Sequence, residues 1–257
     1  MQRKIKGLFA ALAVSSLALS AHAQFESPGD GVYKDRIDWG VMMDMSGPAS
    51  GSQGIWTNGF QAFMRSLNEK GGINGRRINV MAEDSRSNPA QDKINFEKLT
   101  LQTPVLGISG VGSSSSQVSL APTIRSGKVP IVGTYTSTKP LSEPISPLVY
   151  GGFCTYPEMA KAGVGYMSDK LKLKAPKVMV VSIESAGGVE YAQFIADAVG
   201  KLGGTSSLVT MKITAVDVTP QIQEIIKQKP DFITIYGVPN TAILTMKGLQ
   251  QYGLKVP

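Results

Sequence analysis

Apolar residues along this chain recur with two different periods, and the change of period divides the chain into strands and helices. Every second position is apolar in segment 37–43 (IDWGVMM), as in a half-buried strand. In the stretch that follows, the large apolar residues fall on one face of a helix: Trp56, Phe60, Phe63, Met64 and Leu67. The pattern therefore predicts a strand and then a helix that ends at the pair Gly71-Gly72.

The same succession of strand and helix continues along the rest of the chain. Further strands are predicted at 77–84, 104–109, 129–132, 177–183, 208–214 and 231–236. Two of the intervening helices begin with a capping residue followed by proline, at Asn88-Pro89 and at Thr219-Pro220. Strands that alternate with helices at this spacing predict right-handed β-α-β units and parallel sheets.

A stretch with several prolines, 140–156, separates two such series, so we expect an α/β fold with two lobes. Residues 37–152 form the first lobe in this interpretation, and residues 153–257 form the second. The segment 253–257 (GLKVP) has left a helix and begins what reads as another buried strand. We therefore expect the second lobe to be incomplete in this sequence, because chain termini usually finish an element.

The N-terminus has the layout of a secretory signal peptide. A basic region with Arg3, Lys4 and Lys6 precedes an apolar run that ends near Leu19, and Ala-His-Ala at 21–23 follows. We expect cleavage after Ala23, then a polar segment at 24–36. No later stretch approaches the ~20 apolar residues of a membrane span, so the sequence predicts export to the periplasm.

The composition limits the functional groups that the chain can supply for catalysis or metal binding. The only histidine, His22, lies in the predicted signal peptide, and Cys154 is the only cysteine. We therefore expect no metal site, no disulfide within the chain and no imidazole base. The formal charge of +7 includes three residues of the signal peptide, and no basic run with interleaved aromatic residues occurs. This pattern argues against a nucleic-acid partner.

Candidate chemistry lies in two hydroxyl-rich loops. The run GVGSSSSQVS at 110–119 follows a predicted strand and enters a helix, and GTYTST at 133–138 follows the next strand. Ligands of open α/β sheets bind outside the carboxyl ends of the strands. Main-chain N–H groups at a helix start, together with serine hydroxyls, suit a carboxylate or a phosphate. We expect both loops to face one crevice.

Two enzymatic interpretations are weaker. A serine nucleophile requires a base, but no histidine is left and the G-x-S-x-G elbow is absent. A dinucleotide-binding loop requires a third glycine, where this chain has Ser115, and an acid about 20 residues further on. The next acid is Glu143. The residues thus favour a binding protein without enzymatic activity or cofactor, and an exported serine-dependent hydrolase is the alternative from the enzyme class.

Several segments resemble a known family in order and spacing. They are MSGPASGSQG at 45–54, NEKGGINGRRI at 68–78, EDSRSNPAQ at 83–91, GSSSSQ, TYTSTKPL and DFITIYG. Over residues 37–257 the chain resembles the periplasmic branched-chain amino-acid-binding proteins of ABC importers, which are type I periplasmic binding proteins. The resemblance implies two Rossmann-like lobes joined by a hinge. It also implies a monomer that closes around a small ligand and delivers it to an inner-membrane permease.

The resemblance also implies roles for individual residues. Ser113 matches the family serine that binds the ligand carboxylate, and Thr136 matches the hydroxyl that shares this contact. Thr134 matches the residue whose main-chain carbonyl accepts from the ligand ammonium. Glu158 falls near a family acid at the edge of the second lobe, although a solvated acid in the first turn of a helix is an equal alternative. Ser114 and Tyr135 complete the candidate set.

Departures from the family pattern leave the ligand open. The aromatic residue that covers an aliphatic ligand falls at Ser52, and two second-lobe tyrosines fall near Gly187 and Val238. The family's first-lobe disulfide positions fall at Ser87 and Gly112. We therefore expect an amino acid or a related small carboxylate or amide, rather than leucine in particular. A ligand sensor of the same fold is a further alternative.

Overall fold

The computed structural model describes residues 31–136 and 138–257. The predicted signal peptide and the start of the polar segment lie outside the described residues. Within the described part of the chain, none of the helices combines the length and the apolar character that a membrane crossing requires.

The first lobe is built on a parallel sheet of five strands in the order β2-β1-β3-β4-β5. Its strands are β1 Arg36–Met43, β2 Arg77–Asp84, β3 Ile108–Gly110, β4 Ile131–Thr134 and β5 Val149–Gly151. The eight residues of β1 pair in register with those of β2, and β1 also pairs with β3. β1 is thus interior, and four of its apolar residues have at most 8% of their surface exposed: Ile37, Val41, Met42 and Met43.

Helices cover this sheet. They are α1 Ser50–Glu69, α2 Pro89–Glu97 with a π-helical extension Lys98–Gln102, α3 Ser114–Ser126 and the short α4 Lys139–Ser142. The start at Asn88 is confirmed, because its side chain accepts a hydrogen bond from the Ala90 N–H and Pro89 follows it. Leu99, Ile108, Ile124 and Ile131 form the centre of the first-lobe core.

Helix α1 and strand β3 show details that the apolar pattern alone does not give. The helix α1 buries Gln53 and Thr57, whereas Phe63 on its apolar face is 65% exposed. The reason is that the Gln53 amide bonds to loops at the sheet end, which turns a polar face inward. Strand β3 has three residues instead of the predicted six, although Leu106 and Gly107 still bond to the main chain of β1.

The second lobe has a parallel sheet of three strands in the order β7-β6-β8. Its strands are β6 Lys177–Ile183, β7 Thr205–Met211 and β8 Phe232–Tyr236. Its helices are α5 Tyr156–Asp169, α6 Ala186–Gly200, α7 Thr219–Gln228 and α8 Pro239–Gln251. Separate apolar clusters contain residues from opposite faces of β6, with Met179 and Val181 in one cluster and Val178 and Val180 in the other.

Residues after α8 lie beside β8. The Ile233 N–H donates to the carbonyl of Pro257 at 2.9 Å, and Leu254 and Val256 pack against the second-lobe core. The described chain thus forms two α/β lobes on parallel sheets, as the strand and helix pattern predicted. Helix α3 of the first lobe contacts α6 of the second lobe, and α1 contacts α8.

Candidate functional site

A cavity of about 300 Å³ lies between the lobes, at the carboxyl ends of strands from both sheets. Its walls include the first residues of, or those just before, five helices: α1, α2, α3, α6 and α8. Each helix start carries a partial positive charge and main-chain N–H groups without helical partners. The fold therefore places several positive dipole ends around one cavity.

The loop before α3 presents the first serine of the run. Ser113 is the N-cap of α3, accepts a hydrogen bond from the Ser116 N–H at 3.4 Å, and lines the cavity. Gly110 has φ +96°, and a side chain there would press on the Met42 carbonyl. A side chain at Gly112 would collide with the Gln53 amide. These glycines allow the loop to pass close to β1 and α1, so Ser113 is held at the cavity wall.

The next two serines reach across to the other lobe. The Gly187 N–H donates to Ser114 Oγ at 3.0 Å, and the Ala186 N–H donates to Ser115 Oγ at 3.3 Å. Ser185, the N-cap of α6, accepts from the N–H of the residue after Gly187 at 3.1 Å. Serines from both lobes therefore cap the first turn of α6. Ser114 and Ser115 also line the cavity.

The threonine loop completes the first-lobe wall. Tyr135 and Thr136 line the cavity, and the Tyr135 N–H donates to the carbonyl of Gly110 at 2.9 Å, which ties this loop to the serine loop. The Thr136 hydroxyl oxygen is shielded from solvent and makes no hydrogen bond of regular geometry to the residues that the structure describes. Burial raises the pKa of Tyr156, and the nearby Thr136 hydroxyl opposes part of that shift.

Two predicted site residues lie outside the cavity lining. Thr134 is buried at the end of β4, and its hydroxyl accepts from the Gly152 N–H at 3.4 Å. Glu158 lies on the surface in the first turn of α5, where its carboxylate accepts from both the N–H and the hydroxyl of Thr155 at 2.8 Å. Both bonds lower the pKa of Glu158, and the bond from the main-chain N–H has the larger effect. Glu158 thus belongs to a capping box of α5.

The second-lobe wall is more apolar. Ile183, Ile213 and Val238 line it, and Tyr236 adds an aromatic ring. The Tyr236 hydroxyl is 2.7 Å from that of Tyr156, and burial is the main cause of the raised pKa of both phenols.

Gly187 lies against this tyrosine pair. A β-carbon at that position would collide with the hydroxyls of Tyr236 and Tyr156 and press on Ser114. The two phenols therefore occupy the space that a side chain at position 187 would need.

Charged side chains are scarce around the cavity. Among its described lining residues Glu184 is the one with a formal charge, and it is exposed at the mouth. Within the described chain no cluster of three or more potential metal ligands occurs. An anion in this cavity would therefore depend on hydroxyls, main-chain N–H groups and helix dipoles rather than on a basic side chain.

Buried carboxylates support the loops beneath the first-lobe wall. Asp44 accepts from the main-chain N–H groups of Gly47 and Ala49 and from the Ser87 hydroxyl. Asp92 is fully buried and accepts from the Ser116 hydroxyl at 2.6 Å. Burial raises the pKa of Asp92 to about 6, against the hydrogen bond from Ser116. These acids shape the loops and do not line the cavity.

Sequence reasoning missed several residues of this region. The N-cap Ser185 could have been found from the sequence, because S-A-G-G begins two residues after the end of strand β6. Gln53 and Gln117 carried no local signal, because each is an ordinary polar residue inside a helix. Their partners in the loops become visible only when the fold is known.

Comparison with protein families places the chain. A family model described as "Periplasmic binding protein" matches residues 37–257, which is most of the chain. Among curated proteins no sequence match was found.

Solved structures with the same fold are numerous. A fatty acid ABC transporter substrate-binding protein from Thermomonospora curvata has a TM-score of 0.82 at 23% identity, covering 89% of this chain and 58% of its own. The leucine-binding protein LivK from Thermotoga maritima has a TM-score of 0.76 at 22% identity, with 86% and 61% covered.

A third similar structure is a solute-binding protein of an ABC transporter from Rhodopseudomonas palustris BisB5, in complex with 3,4-dihydroxybenzoic acid. It has a TM-score of 0.73 at 20% identity, with 86% of this chain and 59% of that chain covered. The chain therefore spans about three fifths of the length of these structures. The matching family model and the two-lobed fold agree, and the chain belongs to the periplasmic binding protein family.

Proposed function

We propose that this protein is the extracytoplasmic solute-binding protein of an ABC transporter, and that it binds an amino acid or a related small carboxylate or amide. One observation carries the proposal. The cavity between the lobes directs hydroxyls and helix N-termini at one space while its described lining contains no basic side chain. Such a site suits a small anionic group that is held by neutral donors.

The two walls suggest how the ligand is oriented. Ser113, Ser114 and Thr136 on the first lobe can donate to an anionic oxygen, and the Tyr135 ring lies beside them. Ser113 Oγ accepts from the Ser116 N–H, so its own hydroxyl hydrogen can be donated to the ligand. Ser114 Oγ accepts from the Gly187 N–H and also interacts with the Tyr236 hydroxyl. The apolar part of the ligand would then lie against Ile183, Ile213 and Val238.

Ligand binding would favour the arrangement in which both lobes touch. A ligand that contacts both walls stabilises the closed state by its differential affinity for that state. The permease would then recognise the closed state, which forms when the two lobes close about the hinge. The predicted signal peptide supports a location outside the cytoplasm, and we propose that the protein acts as a monomer.

A binding role fits the serines better than catalysis does. The sequence offers no histidine after His22, and in the structure Ser114 and Ser115 accept hydrogen bonds from α6 main-chain groups. Activation of a serine nucleophile needs an adjacent base. The ligands named for the similar structures, leucine, a fatty acid and 3,4-dihydroxybenzoic acid, are all carboxylic acids with different apolar bodies. This diversity supports a carboxylate of unspecified side chain.

A thermal-shift screen tests the proposal. The complete mature protein would be heated with amino acids, aliphatic acids, aromatic acids and their amides, because a ligand that binds the folded state raises the melting temperature. We expect stabilisation by at least one small carboxylate or amide, clearly reduced by Ser113→Ala and retained by Ser119→Ala. Ser119 lies on the exposed side of the same helix. No stabilisation by any of these compounds would refute the proposal.

A further inference from the structure

Gln117 lies in α3, one turn after the serines, and its side chain is fully buried. Its amide nitrogen donates to the carbonyl of Val111 at 3.0 Å and to that of Thr136 at 2.9 Å. Its amide oxygen accepts from the N–H and from the hydroxyl of Thr138, both at 3.2 Å. The side chain thus uses both donors and both acceptor positions of its amide.

These partners belong to the two loops that form the first-lobe wall. Val111 precedes Ser113 in the serine loop, whereas Thr136 and Thr138 belong to the threonine loop. One main-chain bond, from the Tyr135 N–H to the Gly110 carbonyl, also joins the loops. Gln117 itself is not part of the cavity lining. Any effect of Gln117 on a ligand must therefore pass through the loops.

Val111 is held in an unusual conformation. Its φ is +49°, in the left-handed region that β-branched residues rarely adopt, and its side chain is fully buried. Such a conformation persists where the surroundings determine it. The bond from Gln117 to the Val111 carbonyl is one of the contacts that hold it, and the next two residues are Gly112 and Ser113.

We propose that Gln117 is a positioning residue that fixes the serine loop relative to the threonine loop, so that Ser113 and Thr136 can grip one anionic group together. This inference rests on the proposed function, because it assigns the residue that sets the geometry of that binding site. Among the described residues the Thr136 hydroxyl has no hydrogen-bond partner of regular geometry, so the position of its loop decides whether it can reach the ligand.

The chemistry of the amide suggests discriminating variants. In Gln117→Leu the carbonyls of Val111 and Thr136 and the N–H of Thr138 lose their side-chain partner. In Gln117→Glu the acceptor for Thr138 remains, but the two donors are lost and a carboxylate oxygen faces two carbonyl oxygens. Gln221 provides a matched control, because its amide also donates to a main-chain carbonyl, that of Thr210 at 2.8 Å, but in the second lobe.

Hydrogen exchange on the ligand-free, complete mature protein gives the first test. We expect amide exchange in 110–113 and at Tyr135, Thr136 and Thr138 to accelerate about tenfold or more in Gln117→Glu and Gln117→Leu, because one lost hydrogen bond of ~1.4 kcal/mol changes an opening equilibrium tenfold. Exchange in β6 and β8 should stay within about twofold. Gln221→Leu should leave both loops unchanged. Equal acceleration throughout the protein, or unchanged loops, would overturn the proposal.

A double-mutant cycle gives the second test, with L-isoleucine and 3,4-dihydroxybenzoate as probes. If Gln117 acts through Ser113, the affinity loss in Ser113→Ala/Gln117→Glu is smaller than the product of the two single losses. Losses that multiply would overturn the proposal. If neither probe binds the unmodified protein, the choice of probe ligands fails rather than the positioning role, and the exchange result alone decides it.

Discussion

The two walls of the cavity differ in the chemistry they offer. The first-lobe wall presents Ser113, Ser114 and Thr136, whereas the second-lobe wall presents Ile183, Ile213 and Val238. Polar groups recognise what the members of a ligand class share, and apolar surface distinguishes them by size and shape. If the proposed function is right, the first lobe binds a head group that all ligands share, and the more apolar second lobe, which also contributes Glu184, Ser185 and Tyr236, sets selectivity.

The walls differ also in how they use helix N-termini. On the first lobe, Ser113 caps its own helix α3 and faces the cavity. On the second lobe, the first turn of α6 gives two N–H groups to Ser114 and Ser115 of the opposite lobe. The start of α6 therefore serves contact between lobes, which leaves the start of α3 as the stronger candidate for anion binding.

Removing the hydroxyl of Ser113 is expected to have the largest effect on binding. Ser113→Ala eliminates a hydrogen bond to a charged group, which is worth ~1.5–3 kcal/mol, so affinity should fall roughly tenfold to a hundredfold. The loss should be similar for all carboxylate ligands, since the head group is common. Calorimetry of the complete protein with Ser119→Ala as control measures it. Equal affinity in the two variants would remove Ser113 from the site.

A side chain at position 187 should disturb the junction of the walls. Gly187→Ala places a methyl group against the hydroxyls of Tyr236 and Tyr156, and overpacking of this kind costs about 1–3 kcal/mol. We expect a lower melting temperature and weaker ligand binding. Adding Tyr236→Phe, which removes one of the colliding hydroxyls, should restore part of both. Thermal unfolding of the unmodified protein, the single variant and the double variant checks this. An equally low melting temperature in the two variants would show that the collision with Tyr236 is not the cause of the loss.

Shortening the apolar wall should change selectivity more than mean affinity. Ile213→Ala removes apolar contact worth ~0.8 kcal/mol per methylene, which is about fourfold in affinity for each one that the ligand used. Ligands with large apolar bodies should lose most, and small carboxylates should lose little. A panel of acids of increasing chain length measures the trend. A uniform loss across the panel would contradict the division between the walls.

The acid beneath the first-lobe wall should make stability depend on pH. The pKa of Asp92 is raised to about 6 from an ordinary 3.8, so the folded state binds the proton more tightly than the unfolded chain. This contribution to stability is full below pH 4 and is lost as the pH rises towards 6. Asp92→Asn should flatten that part of the profile in denaturant titrations. An unchanged slope between pH 4 and 6 would assign the dependence to other groups.

The smallest effect on binding is expected at Glu158. Its carboxylate caps α5 at the surface and lies away from the cavity lining. Glu158→Ala should lower the melting temperature slightly through the lost capping bonds and leave affinity within about twofold. Binding and unfolding measured on the same sample separate the two effects. A large affinity loss at unchanged stability would return Glu158 to the binding site.

Local sequence signals predicted most of the elements, although not β5 or α4, and nonlocal contacts limited the prediction of the site. Asn88-Pro89 marked a helix start because capping involves neighbouring residues only. Ser113 could be placed at the crevice because loops after parallel strands meet at one end of the sheet. The partner of Ser114 is 73 residues away, and that of Tyr156 is 80 residues away. No periodicity in the sequence encodes such pairs.

At Glu158 a local sequence pattern was present but fitted two interpretations. Its partner Thr155 is three residues away, so the capping box T-x-x-E is written in the sequence, yet the same carboxylate also matched a family acid by approximate alignment. A surface acid in the first turn of a helix satisfies both descriptions. In the folded chain both Thr155 bonds end on the same carboxylate oxygen, Oε2, and Glu158 lies outside the cavity lining, which supports the capping role.

A crystal structure of the complete mature protein with its ligand tests the central claim most directly. We predict an anionic oxygen of the ligand within hydrogen-bond distance of Ser113 Oγ and the Thr136 hydroxyl, with the apolar part of the ligand against Ile213 and Val238. A structure in which the ligand lies elsewhere, while Ser113 and Thr136 contact only solvent, would contradict it.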